Sequence, residues 1–283
     1  MKIGFYGASR AGISMCFYLR SKGIEVAGFY NRTYEKAKEA SNLTNTKVFK
    51  TVDELIDSSD VIFLSVSDSA IEEVSKNLPQ EISKNKVFAH LSGALLSSAI
   101  TVPCKGRFSL HPVQTLRGQI EDVQKLNDAM FSLEGDEKGK EVGKIILQKM
   151  GNKYIELKKE DKVKYHLAAT IASNYLIGLL NFSYSIYKDL KLSDDIIFSM
   201  IGPLAKASLE NFLKDRLNSL TGPASRGDIS TLEKHYMVLP DSQKSIFLEL
   251  LKLTLELIRE RGQFDTCEKL QNFIKSKGGR FEL

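Results

Sequence analysis

Lys2-Ile3-Gly4-Phe5-Tyr6-Gly7-Ala8-Ser9-Arg10-Ala11-Gly12-Ile13-Ser14-Met15-Cys16-Phe17-Tyr18-Leu19 runs from a short apolar stretch through a glycine-bounded turn into an apolar segment of helical pattern. In that context spaced glycines carry meaning. Gly7 permits the tight turn, Gly12 lets helix pack on strand, and a helix N-terminus offers amide donors to a diphosphate. Ser9 departs from the usual three-glycine pattern, because it puts a Cβ and a hydroxyl where bare backbone ordinarily meets phosphate. Alone, the turn reads equally as a plain strand-to-helix connection. As a phosphate site it would use Gly7, Ala8, Ser9, Arg10 and Ala11.

The second apolar run ends in Phe29-Tyr30-Asn31-Arg32-Thr33, at the distance where a dinucleotide-binding unit meets the adenosine ribose. A carboxylate there would accept hydrogen bonds from the ribose hydroxyls. Asn31, Arg32 and Thr33 supply none and offer a cation for a 2′-phosphate instead, which points to NADP(H) rather than NAD. The plainer reading is a solvated arginine at a helix start. Past the next strands lie Ser65-Val66-Ser67-Asp68-Ser69 and Leu91-Ser92-Gly93-Ala94. Ligands of a doubly wound sheet sit beyond the carboxyl ends of its strands, so Ser65, Val66, Ser67, Asp68 and Ser92 are expected around the nicotinamide half. Asp68 and Ser69 equally suit a cap for the helix starting at residue 70.

Up to about residue 158, β-branched or aromatic runs at 2–6, 25–30, 61–66, 86–90, 129–134 and 153–157, with weaker ones at 47–49 and 107–110, alternate with helical patterns at 12–22, 33–40, 52–58, 70–78 and 139–150. This is the order of strand–helix–strand units. From residue 158 the pattern turns helical, beginning with 158–190 and ending with 242–277. The expected fold is an α/β doubly wound sheet over residues 1–159, binding the cofactor, followed by an all-α domain over 160–283.

A length of 283 residues suits two domains, and 42% hydrophobic content with 27% charged residues excludes a disordered chain. The 40 Lys and Arg interleave with 35 Asp and Glu, unlike the concentrated basic stripe of a nucleic-acid binder. Cys16, Cys104 and Cys267 are widely spaced, which excludes a disulfide framework and, with no signal-peptide pattern ahead of the first strand, points to the cytoplasm. The cysteines and the four His show no metal-ligand spacing, so no metal is expected. The stretch 165–187 lacks Asp, Glu, Lys and Arg and is long enough to span a membrane. Its several Ser, Thr, Asn and His residues would each need a partner in lipid, so a helix buried inside protein is expected instead.

Within that stretch His166, Thr170 and Asn174 recur at i, i+4 and i+8, which puts them on one helical face as core hydrogen-bonding groups or as ligand contacts. Further on, Leu220-Thr221-Gly222-Pro223-Ala224-Ser225-Arg226-Gly227-Asp228 reads as a glycine-rich loop, and Ser230-Thr231-Leu232-Glu233 as a capping box opening the helix of His235. Ser225 and Arg226 could meet a small anion there; Arg226 and Asp228 could as well pair to hold the loop.

Taken together, Gly7 to Gly12, His90-Leu91-Ser92-Gly93-Ala94, Ser109-Leu110-His111-Pro112-Val113-Gln114-Thr115, the helix 165–174 and Thr221 to Asp228 resemble the signatures of a Rossmann-like NADP oxidoreductase family with a helical C-terminal domain long labelled as of unknown function. The resemblance spans nearly the whole chain. Its Leu-His-Pro and Gly-Pro-x-x-Arg-Gly-Asp segments are the specific parts. The layout is similar to ketopantoate reductase and pyrroline-5-carboxylate reductase. Ketopantoate reductases present Lys, Asn and Asn at i, i+4 and i+8 of the first long helix after the sheet domain, where this chain has His166, Thr170 and Asn174.

The resemblance implies reduction of a small 2-oxo acid by NADPH, with 2-dehydropantoate giving pantoate for pantothenate synthesis as the lead reaction. Hydride arriving at a carbonyl carbon builds charge on oxygen, so a proton donor, orienting hydrogen bonds and a carboxylate-binding cation are needed. His166 is assigned as general acid, Asn174 and Thr170 as orienting groups, and Ser225 with Arg226 as carboxylate clamp. His111 and Ser92 are assigned to the nicotinamide end. An imine reductase of the pyrroline-5-carboxylate type and a non-catalytic NADP sensor remain open, the second because Ser9 and the missing lysine depart from pattern. A homodimer through the C-terminal helices is expected, since the uncharged helix is hard to bury in one small domain.

Overall fold

A computed structural model of the chain describes residues 1–280. The chain forms two compact units, Met1–Ile177 and Gly178–Leu283. In the first, strands β1 (Lys2–Tyr6), β2 (Glu25–Tyr30), β3 (Lys47–Val48), β4 (Val61–Leu64), β5 (Val87–His90), β6 (Gly106–Pro112), β7 (Phe131–Gly135) and β8 (Tyr154–Glu156) alternate with helices α1 (Arg10–Ser21), α2 (Tyr34–Thr44), α3 (Val52–Asp57), α4 (Asp68–Lys76), α5 (Gln80–Ser83), α6 (Asp122–Asn127) and α7 (Glu137–Met150). All eight expected strands form. The short helices α5 and α6 carry no amphipathic run long enough to be read from sequence.

One sheet holds the strands in the order β3-β2-β1-β4-β5-β6-β7-β8. The first six are parallel, β7 runs antiparallel to β6, and β8 runs parallel to β7. Strands covered on both faces read as continuous apolar runs. Val61 and Phe63 of β4 point into one core with Phe5, Phe29 and Phe108, and Ile62 and Leu64 into the other with Leu55, Phe88 and Ile100. Each such buried side chain contributes about 1.5–3 kcal/mol. The strand order reverses between β1 and β4, and the loops leaving their carboxyl ends open the crevice where such sheets take ligands.

Asp122, 1% exposed, ties that edge together. Its carboxylate accepts from Ser14 Oγ of α1 at 2.7 Å and from the amides of Arg117 and Gly118 at 2.7 and 3.0 Å, and Lys125 donates to it at 2.9 Å. Burial alone would raise its pKa; these donors outweigh burial and hold it well below the usual carboxylate range. The loop after β6 is thereby fastened to α1, with Gly118 packed over the Cα of Arg10.

A 3-10 turn (Lys159–Asp161) leads into α8 (Lys162–Thr170), a π-helical turn (Ile171–Tyr175) and α9 (Leu176–Asp189). Helices α10 (Asp194–Lys214), α11 (Pro223–Arg226), α12 (Ile229–Val238), α13 (Asp241–Glu260) and α14 (Phe264–Ser276) follow, with no strand among the described residues. The long pattern at 242–277 resolves into two helices because Gly262, at φ 72°, ends α13. Leu232, Leu251, Leu255, Ile258, Leu270 and Ile274 form the second unit's core.

In the single chain one apolar stretch stays open. The uncharged stretch 165–187 is not buried: none of its residues falls in the buried class, and Ile171, Tyr175 and Ile177 are 53%, 61% and 65% exposed. No helix among the described residues is long and apolar enough to cross a membrane. Replacing Asp122 by Asn keeps the shape but weakens several charge-assisted bonds at once. Urea unfolding is expected to show a loss of about 1–3 kcal/mol for Asp122→Asn, and an unchanged midpoint would mean that the loop is held by other contacts.

Candidate active site

The β1–α1 turn is built on Ser65. Gly7, at φ +96°, lies so close that a Cβ there would stand 2.3 Å from the Ser65 carbonyl oxygen, and one on Gly12 would meet Ser65 Oγ at 1.9 Å. Ser9 donates its amide to Ser65 O at 3.2 Å and shares a 2.6 Å hydrogen bond with Ser65 Oγ. Its hydroxyl also accepts from Gly12 N, which makes it the N-cap of α1. The missing middle glycine therefore has a structural role. The first-turn amides of Arg10 and Ala11 have no carbonyl of their own helix to meet, and with the narrow Gly7 approach they fit a diphosphate.

Asn31, Arg32 and Thr33 follow β2. Asn31 Nδ2 donates to Thr33 O at 3.0 Å, and Thr33 is the N-cap residue of α2 without a side-chain bond. Arg32 is exposed and lies within electrostatic reach of Tyr6, whose ring meets Tyr30 at 5.0 Å. Ser9, Ala11, Ser65, Val66, Asp68 and Ser92 line one crevice of about 80 Å³ past β1, β4 and β5. Ser67 precedes α4 and caps it with no side-chain bond. Asp68 accepts from Ser92 Oγ at 2.6 Å, so its carboxylate ties two loops together.

Beyond Ser92 a cleft of about 690 Å³ opens, lined by His111, Gln114, Thr115, His166, Thr170 and Asn174 among others. All of these belong to the first unit. His111 and His166 stand with ring centroids 6.1 Å apart, and Gly93 fits between them: a Cβ there would lie 2.6 Å from His166 Cδ2 and 2.8 Å from His111 Nε2. His111 Nδ1 is 2.8 Å from the Tyr165 hydroxyl. The π-helical turn widens the helix at Ser173, whose Oγ donates to Ala169 O at 2.7 Å.

His90 is fully buried and does not reach the cleft. Its Nδ1 accepts from Ser92 N at 3.2 Å, so Nε2 carries the proton and donates to Leu96 O at 3.1 Å. Burial pushes its pKa down to about 4. Burial, followed by proximity to His166 and Lys162, pushes His111 down to about 4 as well. Both imidazoles are neutral at physiological pH.

Ser225 and Arg226 lie in the second unit, on the single turn α11. Ser225 Oγ donates to Gly222 O at 3.0 Å. Asp228 forms no ion pair with Arg226; it is the N-cap of α12, accepting from Thr231 N at 3.1 Å and Thr231 Oγ1 at 2.7 Å. The capping box expected at Ser230 is thus replaced by a cap two residues earlier, where the carboxylate reaches the N3 amide. Two groups beside the cleft escaped the sequence reading. Tyr165 counted there only as part of the uncharged stretch. Lys162, 0% exposed, was hidden in a charged run; its signal is the i−4 spacing from His166.

The two depressed imidazoles set a pH dependence. Unfolded, each binds a proton near pH 6.5; folded, each stays neutral until about pH 4. The unfolded state therefore binds more protons between those values, and stability falls as pH drops from 6.5 to 4. Denaturant unfolding at pH 7 and pH 4.5 is expected to differ by about 2 kcal/mol for each histidine, and equal stabilities would contradict the buried neutral state.

Residues 2–103 match the family model described as the NAD binding domain of 6-phosphogluconate dehydrogenase, and residues 129–254 match a domain of unknown function, DUF2520. No curated protein matches. Among solved structures, protein TM1727 of Thermotoga maritima is 28% identical over 92% of this chain and 99% of that one, with a TM-score of 0.69. A candidate NADP oxidoreductase of Bacteroides fragilis is 20% identical over 89% and 96%, with a TM-score of 0.72. The pyrroline carboxylate reductase of Plasmodium falciparum, solved with NADP bound, is 14% identical over 98% and 96%, with a TM-score of 0.58. The chain thus pairs a segment similar to a dinucleotide-binding domain with one similar to DUF2520, and shares its fold with these solved structures.

Proposed function

We propose that this chain is an NADPH-dependent reductase of a small 2-oxo acid, with ketopantoate (2-dehydropantoate) reduced to pantoate as the lead reaction. The observation that carries this reading is the meeting of two imidazoles, His111 and His166, in a cleft beside Gly93, whose neighbour Ser92 lines the crevice at the β1–α1 turn. Bound NADPH would supply the hydride. Gly7, Ala8, Ser9, Arg10 and Ala11 hold its diphosphate, Arg32 with Asn31 and Thr33 its 2′-phosphate, and Ser65, Val66, Ser67 and Asp68 line its path. Ser92 and His111 stand at the nicotinamide end.

As negative charge develops on the carbonyl oxygen, His166 donates the proton and Thr170 and Asn174 orient the oxygen by hydrogen bonds. Tyr165 holds His111 by Nδ1, which leaves Nε2 as its cleft-side nitrogen. Ser225 and Arg226, carried by the second unit, are the pair proposed to recognise a carboxylate. Residues 160–283 serve as substrate-binding and dimerisation region, a second copy covering the open apolar face of the helix at 165–187. Sedimentation at a single chain's mass would remove the dimer. The free cysteines suit a cytoplasmic protein.

One observation favours a second reading, reduction of an imine. His111 is neutral with a pKa near 4, which makes it a poor proton reserve at pH 7, and an iminium already carries its charge. Pyrroline carboxylate reductase and a reductive aminase of Aspergillus terreus share the fold. A panel of NADPH with ketopantoate and pyrroline-5-carboxylate separates the readings; NADPH binding without any turnover would leave a sensor.

NADPH is expected to bind about tenfold or more tighter than NADH, with Arg32→Ala removing most of the difference in a fluorescence titration; equal wild-type affinities remove the role of Arg32. His166→Ala is expected to lower kcat about 100-fold with the fold intact, while Arg226→Ala mainly raises KM. Unchanged constants would return both residues to structure.

A further inference from the structure

Strands β6 and β7 set Ser109 opposite Glu134 and His111 opposite Ser132. Because Ser109 and His111 are two residues apart, both rungs face the same side of the sheet. Helix α8 runs over that side. Tyr165 meets the His111 rung, and one turn earlier Lys162 meets the Ser109–Glu134 rung. Its Nζ donates to Ser109 Oγ at 2.5 Å and lies 3.7 Å from Glu134 Oε2. Lys162 and Glu134 are 0% and 2% exposed.

A lysine at this position is not favoured by its helix. It is the first residue of α8, where the helix dipole opposes a cation. Burying the pair also costs desolvation that apolar residues of similar volume would avoid. What the pair holds is the segment after β5. Ser109 Oγ, accepting from Lys162, donates to Ser92 O at 2.9 Å. Glu134 accepts from Ser97 N at 2.7 Å and Ser97 Oγ at 3.0 Å. The segment is therefore fastened at both ends, and at its start lies Gly93, packed so close to His166 and His111 that a Cβ there would clash with both rings.

We propose that Lys162 is a positioning residue which, through Ser109 and Glu134, fixes the Ser92–Ser97 segment and so sets the seat of the His111 and His166 rings. It touches neither substrate nor cofactor. Its charge also reaches His111, whose other charged or titratable neighbours are His166, Asp68 and His90, and adds to the burial that keeps this imidazole neutral. The proposal rests on the reading of the cleft as the reaction site, but its mechanical part does not depend on the substrate.

The test is the double variant Lys162→Met with Glu134→Leu in the full chain, which removes both charges and leaves neither buried alone, so that folding is retained. Hydrogen exchange of the 92–97 amides is expected to accelerate about tenfold or more, with the rest of the sheet unchanged. On whichever oxo acid or imine the wild type reduces, kcat is expected to fall about 100-fold, as displacement of catalytic groups by about 1 Å does, while the Kd for NADPH stays within about threefold. Unchanged protection of 92–97, or a wild-type kcat, overturns the proposal. If the wild type reduces nothing in the panel, the reductase reading fails while hydrogen exchange still decides the role of Lys162.

Discussion

Ser65 is the point against which the carboxyl edge of the sheet is assembled. Gly7 and Gly12 approach its backbone and side chain more closely than any Cβ would permit, and Ser9 bonds to both its carbonyl and its hydroxyl. The β1–α1 turn is thus fixed by contacts with the residue that follows β4, the strand across the topological switch. Once that approach is set, the start of α1 is set, and Asp122 carries the constraint onward by tying Ser14 of α1 to the loop after β6. That loop in turn forms one wall of the cleft.

Polar groups buried behind this edge follow two strategies. His90 and His111 are kept neutral by desolvation, each with a defined hydrogen-bond partner. Lys162 and Glu134 keep their charges paired and spread the remaining donors and acceptors over three serines. A neutral group costs little to bury once its hydrogen bonds are met; a charged pair is costly and tolerates few alternative geometries. Of these groups His111 lines the cleft, and the Lys162–Glu134 pair lies one rung behind it on the same side of the sheet.

The strands were legible because buried parallel strands read as unbroken apolar runs, and Val61–Leu64 and Val87–His90 are of that kind. The direction of β7 was not legible, since strand composition is blind to whether the connection returns on the same side. Ser9 read as a defect because its value lies in Ser65, fifty-six residues away. Lys162 carried no signal in the sequence, for its burial depends on Ser109 and Glu134, which no local pattern connects to it. Tyr165 was lost in the uncharged stretch for the same reason. The cover of that stretch was not legible, because hydrophobicity states a need for cover and not its source. The strip of His166, Thr170 and Asn174 was legible from spacing alone, and all three line the cleft.

That strip owes its straightness to the irregular turn at Ile171–Tyr175. In a regular α-helix, residues four apart fall about 40° out of line, so three of them in succession wind about 80° around the axis. The wider π-helical turn takes back part of that rotation between Thr170 and Asn174. Ser173 occupies the bulge and donates its hydroxyl to Ala169 O, a carbonyl that the widened turn would otherwise leave without its usual amide. The angular file of three side chains therefore depends on where one residue is accommodated in the helix: with every residue kept and the turn wound as regular α-helix, Asn174 would stand about 80° around the axis from His166.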